Sequence, residues 1–265
     1  MQTKSAMKNE TPCEKEYQER VCPENKKTAV FQCHLARYKF ALQFVKNKVV
    51  LDAGCGTGYG ADYLSNVGKE VIGIDISEAA IGYARTHFQK DNLKFEVTDL
   101  TSLTFQNSTF DIVCFFDVIE HIEDYKKAIQ EIYKVLKLDG LFIISTPNKK
   151  IFSDNQPSPP NPHHVREFYL SDFQGILRSY FDEVKTYGQK ESAKVDKVFQ
   201  GNMLTRLLNR LNLSKIKQLL PTRLRPKIAR FLKGAIEEDI TADDFQVLDN
   251  INLETCEYFV SVCKK

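Results

Sequence analysis

Short apolar runs alternate with longer amphipathic stretches through the middle of the chain. The length and β-branched content of the apolar runs predict buried strands, and the stretches between them repeat apolar residues at helical spacing. The predicted strands cover residues 48–53, 70–75, 94–98, 110–116 and 140–146. The predicted helices cover residues 59–67, 77–89 and 124–137, the last ending at Asp139-Gly140. Alternation of this kind predicts an α/β fold with a parallel sheet covered on both faces.

Three further regions flank this core. Residues 1–27 are polar, and 28–47 predict an amphipathic helix that packs as a lid over one end of the sheet. Its apolar face is Phe31, Leu35, Tyr38, Leu42 and Val45. Two later strands are predicted at 181–187 and 257–263, and the interval between them is far longer than a hairpin needs. We therefore expect a main domain over 48–265 that carries a helical insertion at about 190–250.

The run KVVLDAGCGTGYG at 48–60 carries the clearest chemical signal. A buried strand ends at Asp52 and is followed by glycines at 54, 56, 58 and 60, so a ligand can approach the backbone without meeting β-carbons. The helix that follows directs its free N–H groups towards the same place. This pattern predicts a nucleotide-cofactor site. Gly56, Gly58 and Ala61 also satisfy the dinucleotide fingerprint of dehydrogenases, so the glycines alone leave two cofactor classes open.

Acidic residues follow three successive strands. Asp52 closes the first, Asp75 closes the second, and Asp99 follows the third. The carboxyl ends of parallel strands share one edge of the sheet, where open α/β sheets bind their ligands. A carboxylate there can accept both ribose hydroxyls, and another can accept the adenine amino group. The acids therefore favour an adenosine-containing cofactor.

These motifs together resemble the class I S-adenosylmethionine-dependent methyltransferases. The resemblance rests on VLDAGCGTGY at 50–59, GIDIS at 73–77 and FDIV at 110–113, in the family's order and spacing. It implies a doubly wound, seven-stranded Rossmann-like sheet whose last strand is antiparallel, and it implies S-adenosylmethionine as methyl donor. The cofactor contacts that it implies are Arg37, Tyr38, Asp52, Gly54, Gly56, Gly58, Asp75, Ile76, Asp99, Leu100, Phe116 and Asp117.

The amino-terminal part adds a narrower resemblance. The segments ERVCPE at 19–24 and HLARYKFA at 34–41 are similar to a bacterial subgroup of these enzymes that is linked to cell-surface glycan pathways. Arg37 on the lid helix would then pair with the methionyl carboxylate of the cofactor. The alternative is an arginine that is simply solvated on an amphipathic helix.

Two segments carry candidate catalytic groups. If the chain turns helical after the fourth strand, Asp117, Glu120 and His121 share one face, and His121 suits a general base. Prolines at 157, 159, 160 and 162 stiffen the approach to His163 and His164, which we expect over the acceptor pocket. We therefore regard His121, His163 and His164 as the candidate catalytic residues.

The same side chains could instead hold a divalent cation. Asp117, Glu120, His121 and His163 or His164, with His164 preferred, form a mixed carboxylate and imidazole set. The set resembles that of small-RNA 2′-O-methyltransferases and some quinone-pathway O-methyltransferases, but Asp117 stands where those enzymes carry a longer glutamate. A metal-free general base, or a purely structural role at the strand–helix junction, stays open.

Composition restricts the partners and the location. Lys and Arg total 37 against 35 acidic residues, so net charge argues neither for nor against a nucleic acid partner, and seven scattered cysteines form no disulfide framework. The sequence shows neither a signal core nor an apolar run of membrane-spanning length, which favours a cytoplasmic protein. Residues 201–233 contain basic residues and no acid. They predict a helical substrate lid, or a segment that binds an anionic membrane surface or lipid-linked substrate at the cell periphery.

The sequence thus favours an S-adenosylmethionine-dependent O-methyltransferase that acts on a small molecule or a glycan. A metal-dependent RNA 2′-O-methyltransferase and a quinone-type O-methyltransferase are the alternatives within catalysis. A cofactor-binding partner subunit without catalytic activity is the alternative of another class. Nucleic acid is not the favoured partner, because the basic segment lacks the interleaved aromatic residues that stack on bases.

Overall fold

The computed structural model describes residues 28–192, 194–195 and 240–265, with Pro23 and Lys26. Its strands are β1 (Val49–Ala53), β2 (Glu70–Asp75), β3 (Leu93–Val97), β4 (Phe110–Phe116), β5 (Leu136–Pro147), β6 (Glu183–Glu191), β7 (Phe245–Leu248) and β8 (Tyr258–Lys264). Its α-helices are α1 (Ala29–Val45), α2 (Tyr59–Ser65), α3 (Glu78–His87), α4 (Tyr125–Val135), α5 (Lys149–Phe152) and α6 (Leu170–Arg178). Short 3₁₀ turns cover Ile119–His121, Ala242–Asp244 and Leu253–Thr255.

The strands form one sheet in the order β3-β2-β1-β4-β5-β8-β6-β7. Strands β1 to β5 pair in parallel, whereas β8 lies between β5 and β6 and is antiparallel to both. The doubly wound α/β sheet with an antiparallel last strand is therefore confirmed. The expected strand number was one too low, because β7 adds an eighth strand. It has four residues and pairs with β6 at the edge of the sheet, so it left no apolar run in the sequence.

Helices bury both faces of the sheet. Ala41, Ile81 and Leu64, from the first three helices, belong to one apolar cluster, and Ile129 and Phe173, from α4 and α6, belong to the other. Each cluster includes side chains of the central strands, so the sheet is enclosed between two cores. This double enclosure explains why the central strands β1 and β4 are almost continuously apolar.

The boundary between α4 and β5 differs from the expectation. The strand begins at Leu136, directly after the helix, rather than at residue 140. Asp139 has a positive φ of 61°, and the pairing with β4 shifts register between Phe110 and Ile112. The Asp139-Gly140 pair therefore marks an irregularity inside a strand, a role that turn-forming residues also serve.

The first helix follows the expected range, but its buried face is shifted. Thr28 caps it by accepting a hydrogen bond from Phe31 N. Arg37 and Ala41 are fully buried, whereas Leu35 and Leu42, two members of the expected apolar face, are half-buried. The shift arises because the helix packs against the polar edge of the sheet as well as against its apolar core.

Most of the expected insertion lies outside the described residues. The described part of 190–250 contains the end of β6, residues 194–195, the turn at Ala242–Asp244 and β7. The basic segment 201–233 and residues 1–22 also lie outside the description. Among the described helices, none combines the length and the apolar character needed to cross a bilayer.

Two glycines provide a matched test of the packing between α1 and α2. A Cβ at Gly60 would lie 1.9 Å from the ring of Tyr38, whereas a Cβ at Gly82 in α3 would meet nothing within 4 Å. We expect Gly60→Ala to lower the free energy of unfolding by about 1–3 kcal/mol through overpacking. Gly82→Ala should raise it by about 0.5–1 kcal/mol, because alanine is the better helix former. Urea unfolding of both variants measures this, and equal effects would contradict the described contact.

Candidate active site

The chain after β1 makes a loop at residues 54–58, which we call the glycine loop. Three of its five positions have a backbone conformation that only glycine adopts without strain. Gly54, Gly56 and Gly58 have φ values of +79°, +54° and +86°. A Cβ at Gly54 would also lie 2.5 Å from Val118. The loop is held by Asp75 at the end of β2, whose two carboxylate oxygens accept from Gly56 N at 3.0 Å and Ser77 N at 2.9 Å. Backbone bonding and the absence of side chains thus leave an open surface at the sheet edge.

A cavity of about 390 Å³ lies over this loop, at the carboxyl ends of the strands. It is bounded by α1 and by the chain that follows β1 to β4. Its lining residues are His34, Tyr38, Gly54, Cys55, Gly56, Thr57, Tyr59, Asp75, Ile76, Thr98, Asp99, Leu100, Phe116, Asp117, Val118, His121, Ile122 and Glu123. The cavity therefore lies where open α/β sheets bind ligands.

Nine of the twelve residues expected to contact a cofactor line the cavity. Arg37, Asp52 and Gly58 do not. The sequence reasoning missed eight of the lining residues. Two of them, Cys55 and Thr57, lie within the glycine loop. The others are His34, Tyr59, Thr98, Val118, Ile122 and Glu123. Helical spacing could have found His34, since it precedes Tyr38 by four residues on the same helix face.

Asp52 lies beneath the glycine loop and is only 1% exposed. Its two carboxylate oxygens accept from the Tyr38 hydroxyl, each at 3.2 Å. Burial raises the pKa of Asp52 to about 7, although the hydrogen bond from Tyr38 opposes the shift. Asp52 therefore supports the loop and anchors α1 to β1 from below.

Arg37 lies on the first helix as expected, but in the interior of the protein rather than on a solvated face. It is fully buried, its guanidinium pairs with Asp117, and it lies 4.0 Å from the ring centroid of Tyr258. Asp117 also accepts from Ser145 Oγ at 2.7 Å. The geometry gives the guanidinium an internal carboxylate as partner and contradicts the solvated alternative, whereas pairing with the methionyl carboxylate of a cofactor stays a prediction.

Asp117 is fixed in an uncommon backbone conformation with a φ of +52°. Burial by itself would raise the pKa of Asp117, but Arg37, His34 and the bond from Ser145 hold it below the ordinary value. The Nε2 atom of His34 lies 3.5 Å from the Asp117 carboxylate, and burial lowers the pKa of His34 to about 4. Asp117 is therefore an ionised group at the cavity wall.

The expected shared face of Asp117, Glu120 and His121 does not form. The positive φ of Asp117 takes it out of the helical path, and a single 3₁₀ turn at Ile119–His121 follows. Glu120 is fully buried; its Oε2 accepts from Thr146 Oγ1 at 3.2 Å, and its Oε1 has no hydrogen-bond partner among the described residues. Burial, and then the neighbouring Asp117 charge, raise the pKa of Glu120 well above its ordinary value.

Residues 161–168, the histidine loop, bind to this turn through the backbone. Val165 N and Arg166 N donate to the carbonyl of Glu120 at 2.8 and 3.3 Å. His121 Nδ1 donates to the carbonyl of His163 at 3.0 Å, because a carbonyl can only accept. The two candidate segments therefore form a single unit.

The histidine pair is divided by this arrangement. The imidazoles of His121 and His164 lie edge to face with centroids 4.8 Å apart, whereas His163 is exposed. The small part of the His163 ring that is withdrawn from water, and then the neighbouring His164, lower the pKa of His163. The ligand atoms of Glu120, His121 and His164 all lie within 4.8 Å of one another, and we call these three residues the Glu120 cluster. Asp117, the fourth expected member, is paired with Arg37 instead.

The Glu120 cluster adjoins the cavity through His121, which lines it. One carboxylate and two imidazoles can accept a proton, and they are also a donor set that divalent transition metals accept. The arrangement thus joins a cofactor-sized cavity to a basic cluster at one end. It can hold an adenosine-containing ligand beside a second molecule that loses a proton.

Comparisons with known proteins agree with this geometry. Residues 51–144 match the sequence profile of a family described as a methyltransferase domain. A probable S-adenosylmethionine-dependent methyltransferase of Mycolicibacterium smegmatis is 34% identical over 155 residues, which cover 58% of this chain and 60% of that protein. A ubiquinone biosynthesis O-methyltransferase of Coxiella burnetii is 33% identical over 107 residues, or 40% of this chain and 46% of that one.

Among solved structures, an S-adenosylmethionine-dependent methyltransferase from Thermotoga maritima has the same fold. It shares 16% identity and a TM-score of 0.58, over 88% of this chain and 89% of that chain. The two sequence relatives above are matched over only 60% and 46% of their own lengths. The chain therefore spans at most three fifths of the length of these two relatives, and the remaining part of each is unmatched.

The buried Asp52 makes stability depend on pH in a defined direction. Its folded pKa of about 7 lies above the unfolded value, so the folded state binds the extra proton. The contribution of Asp52 to the free energy of unfolding is fully present below about pH 4 and is lost as the pH rises through 7. We expect the free energy of unfolding of the wild type, relative to Asp52→Asn, to fall between pH 4.5 and 7.5 by at most about 1.4 kcal/mol per pH unit. Urea unfolding across this range measures it, and a constant difference would contradict the assignment.

Proposed function

We propose that the chain is a class I S-adenosylmethionine-dependent methyltransferase and that it transfers a methyl group from S-adenosylmethionine to an oxygen of a small molecule or a glycan. The observation that carries the proposal is the cavity itself. It joins the glycine loop and the acids at the ends of the strands to the basic Glu120 cluster.

The residues present fit the cofactor. The glycine loop brings bare backbone to the cavity wall at Gly54 and Gly56, and Asp75 and Asp99 supply carboxylates for ribose hydroxyls and an adenine amino group. Asp117, held ionised by Arg37, lies on the wall beside Phe116 and suits the cationic part of the ligand. Bound there, S-adenosylmethionine would supply the electrophilic methyl group. The protein contributes position and a water-poor surface.

His121 is the residue that we assign to the proton of the acceptor. Its Nδ1–H donates to the carbonyl of His163, so Nε2 carries the lone pair. That nitrogen can accept the proton that a hydroxyl acceptor loses as its oxygen takes the methyl group. Because His121 lines the cavity, it can meet an acceptor directly.

A divalent cation at the Glu120 cluster is a second candidate arrangement. The three donor atoms within 4.8 Å of one another favour it, as does the buried Oε1 of Glu120 that has no partner among the described residues. Residues Glu120, His121 and His164 would hold the cation, and Asp117 is not in the set. A cation there would orient acceptor oxygens, and it would take the His121 lone pair that otherwise accepts the proton.

The charge of the side chains at the cavity bears on which class of methyl acceptor fits. Glu123 lines the cavity and places a carboxylate there, which repels the phosphates of RNA. Small molecules and glycans suit such a surface better, and the similarity of segments 19–24 and 34–41 to a glycan-linked subgroup supports the latter. Attachment to an anionic membrane surface or a lipid-linked substrate would depend on 201–233, outside the described residues. The chain would then work in the cytoplasm or at the inner membrane surface.

Cofactor binding is the first test. We expect S-adenosylmethionine to bind the full chain in calorimetric titration and to remain bound in excess NAD. Asp75→Ala should weaken binding about tenfold to a hundredfold, because it removes a charged acceptor at the ribose position and releases the glycine loop. The control is Asp91→Ala, an exposed acid that does not line the cavity. No binding by the wild type, or displacement by NAD, would contradict the proposal.

Methyl transfer and its acceptor form the second test. We expect tritium from methyl-labelled S-adenosylmethionine to enter the small-molecule or glycan pool of cell extracts rather than the nucleic acid pool. His121→Ala should reduce labelling about a hundredfold to ten-thousandfold while cofactor binding persists, since it removes the base. His87→Ala, an exposed histidine on α3, is the control.

Three outcomes separate the alternatives. Label in the nucleic acid pool would favour an RNA methyltransferase, and loss of labelling after chelation and metal removal would favour the cation at the Glu120 cluster. Cofactor binding with no label in any pool would favour a partner subunit without catalytic activity.

A further inference from the structure

A second layer of polar side chains lies behind the Glu120 cluster. Glu167, the seventh residue of the histidine loop, accepts a hydrogen bond from His164 Nδ1 at 2.9 Å through Oε1. Its other oxygen, Oε2, accepts from Ser153 Oγ just after α5. Both carboxylate oxygens are therefore used, and the carboxylate cannot rotate without losing one of the two bonds.

Burial makes this arrangement more than a surface ion pair. The side chain of Glu167 is 2% exposed and that of His164 is 11% exposed. Among the described residues, the ion pair recorded for Glu167 is the one with His164. A buried carboxylate is costly unless it is well paired, so the imidazole is the group that this carboxylate is positioned to serve.

The consequence for His164 is a fixed tautomer. A carboxylate can only accept, so Nδ1 of His164 must carry the hydrogen, and the lone pair is at Nε2. The carbonyl of His163 imposes the same tautomer on His121. The Glu120 cluster therefore contains two imidazoles in the same tautomer, each set by a different acceptor.

We propose that Glu167 is a positioning residue that holds His164 in the Nδ1–H tautomer, with Ser153 fixing the carboxylate from behind. In this role it gives the Glu120 cluster a second imidazole lone pair beside that of His121, which a proton or a cation can take. The tautomer of His164 is a property of the protein alone and does not depend on the proposed function. Only the expected effect of Glu167 on methyl transfer rests on that function.

The chain contains five histidines, so tautomers can be measured residue by residue. The full chain is labelled with ¹⁵N-histidine, treated with a chelator and studied by long-range ¹H–¹⁵N NMR at about pH 8, above the ordinary histidine pKa. We expect His121 and His164 both to show the Nδ1–H tautomer. In Glu167→Gln the amide can donate to Nδ1, so His164 should shift to the Nε2–H tautomer while His121 is unchanged.

Two further variants separate positioning from general damage. Ser153→Ala serves as the test if Glu167→Gln fails to fold. It should keep the hydrogen bond between Glu167 and His164 but leave the carboxylate less fixed, and we therefore expect a mixture of the two His164 tautomers. Glu254→Gln is the matched control, because this exposed glutamate pairs with Lys150 and does not contact a histidine. We expect it to leave all histidine signals unchanged. An Nε2–H tautomer at His164 in the wild type, or an unchanged tautomer in both Glu167→Gln and Ser153→Ala, would overturn the proposal.

The effect on chemistry is measured separately. Glu167→Gln should reduce methyl labelling of the extract pool that the wild type labels by about tenfold to a hundredfold, the range found when groups behind site residues are lost. Its affinity for S-adenosylhomocysteine should equal that of the wild type. Unchanged labelling despite a changed tautomer would overturn the role of Glu167, whereas a wild type that binds no cofactor would overturn the proposed function and leave the tautomer result standing.

Discussion

The buried ion pair between Arg37 and Asp117 connects more of this structure than any other single contact. A guanidinium removed from water is costly, and the pair is stable only because Asp117, the Tyr258 ring and Cys33 surround it on several sides. These partners belong to α1, to the end of β4 and to β8. The first helix, the centre of the sheet and its last strand are therefore held in one geometry, and the wall of the cavity depends on all three.

The cavity and the Glu120 cluster are built on different principles. The cavity is formed by backbone, since the glycine loop and the chain after the strands leave an open surface that side chains only border. The cluster is formed by side chains of the 3₁₀ turn and of the histidine loop, and hydrogen bonds between these two segments fix its geometry. The position of His121 on the boundary between the two makes the site continuous.

The sequence predicted most of the fold because its strongest signals are local. Apolar runs and the glycines after β1 depend on neighbouring residues, and the strand ranges were correct to within a few residues, apart from the early start of β5 and the end of β6. It did not predict contacts between distant segments. Arg37 pairs with Asp117 across eighty positions, and the buried Asp52 accepts from the Tyr38 hydroxyl. Arg37 and Asp52 therefore do not line the cavity, although the family resemblance implied both as cofactor contacts. The four-residue β7 has too little pattern to be recognised.

The position of β8 has a consequence for how the molecule is made. The residues Tyr258–Lys264 come late in the chain, yet they lie in the interior of the sheet, between β5 and β6. During synthesis the sheet from β1 to β5 can assemble early, but β6 and β7 have no place to attach until this strand leaves the ribosome. Folding therefore ends with a long-range insertion step, which is intrinsically slow, and the emerging chain must keep an open strand edge until then.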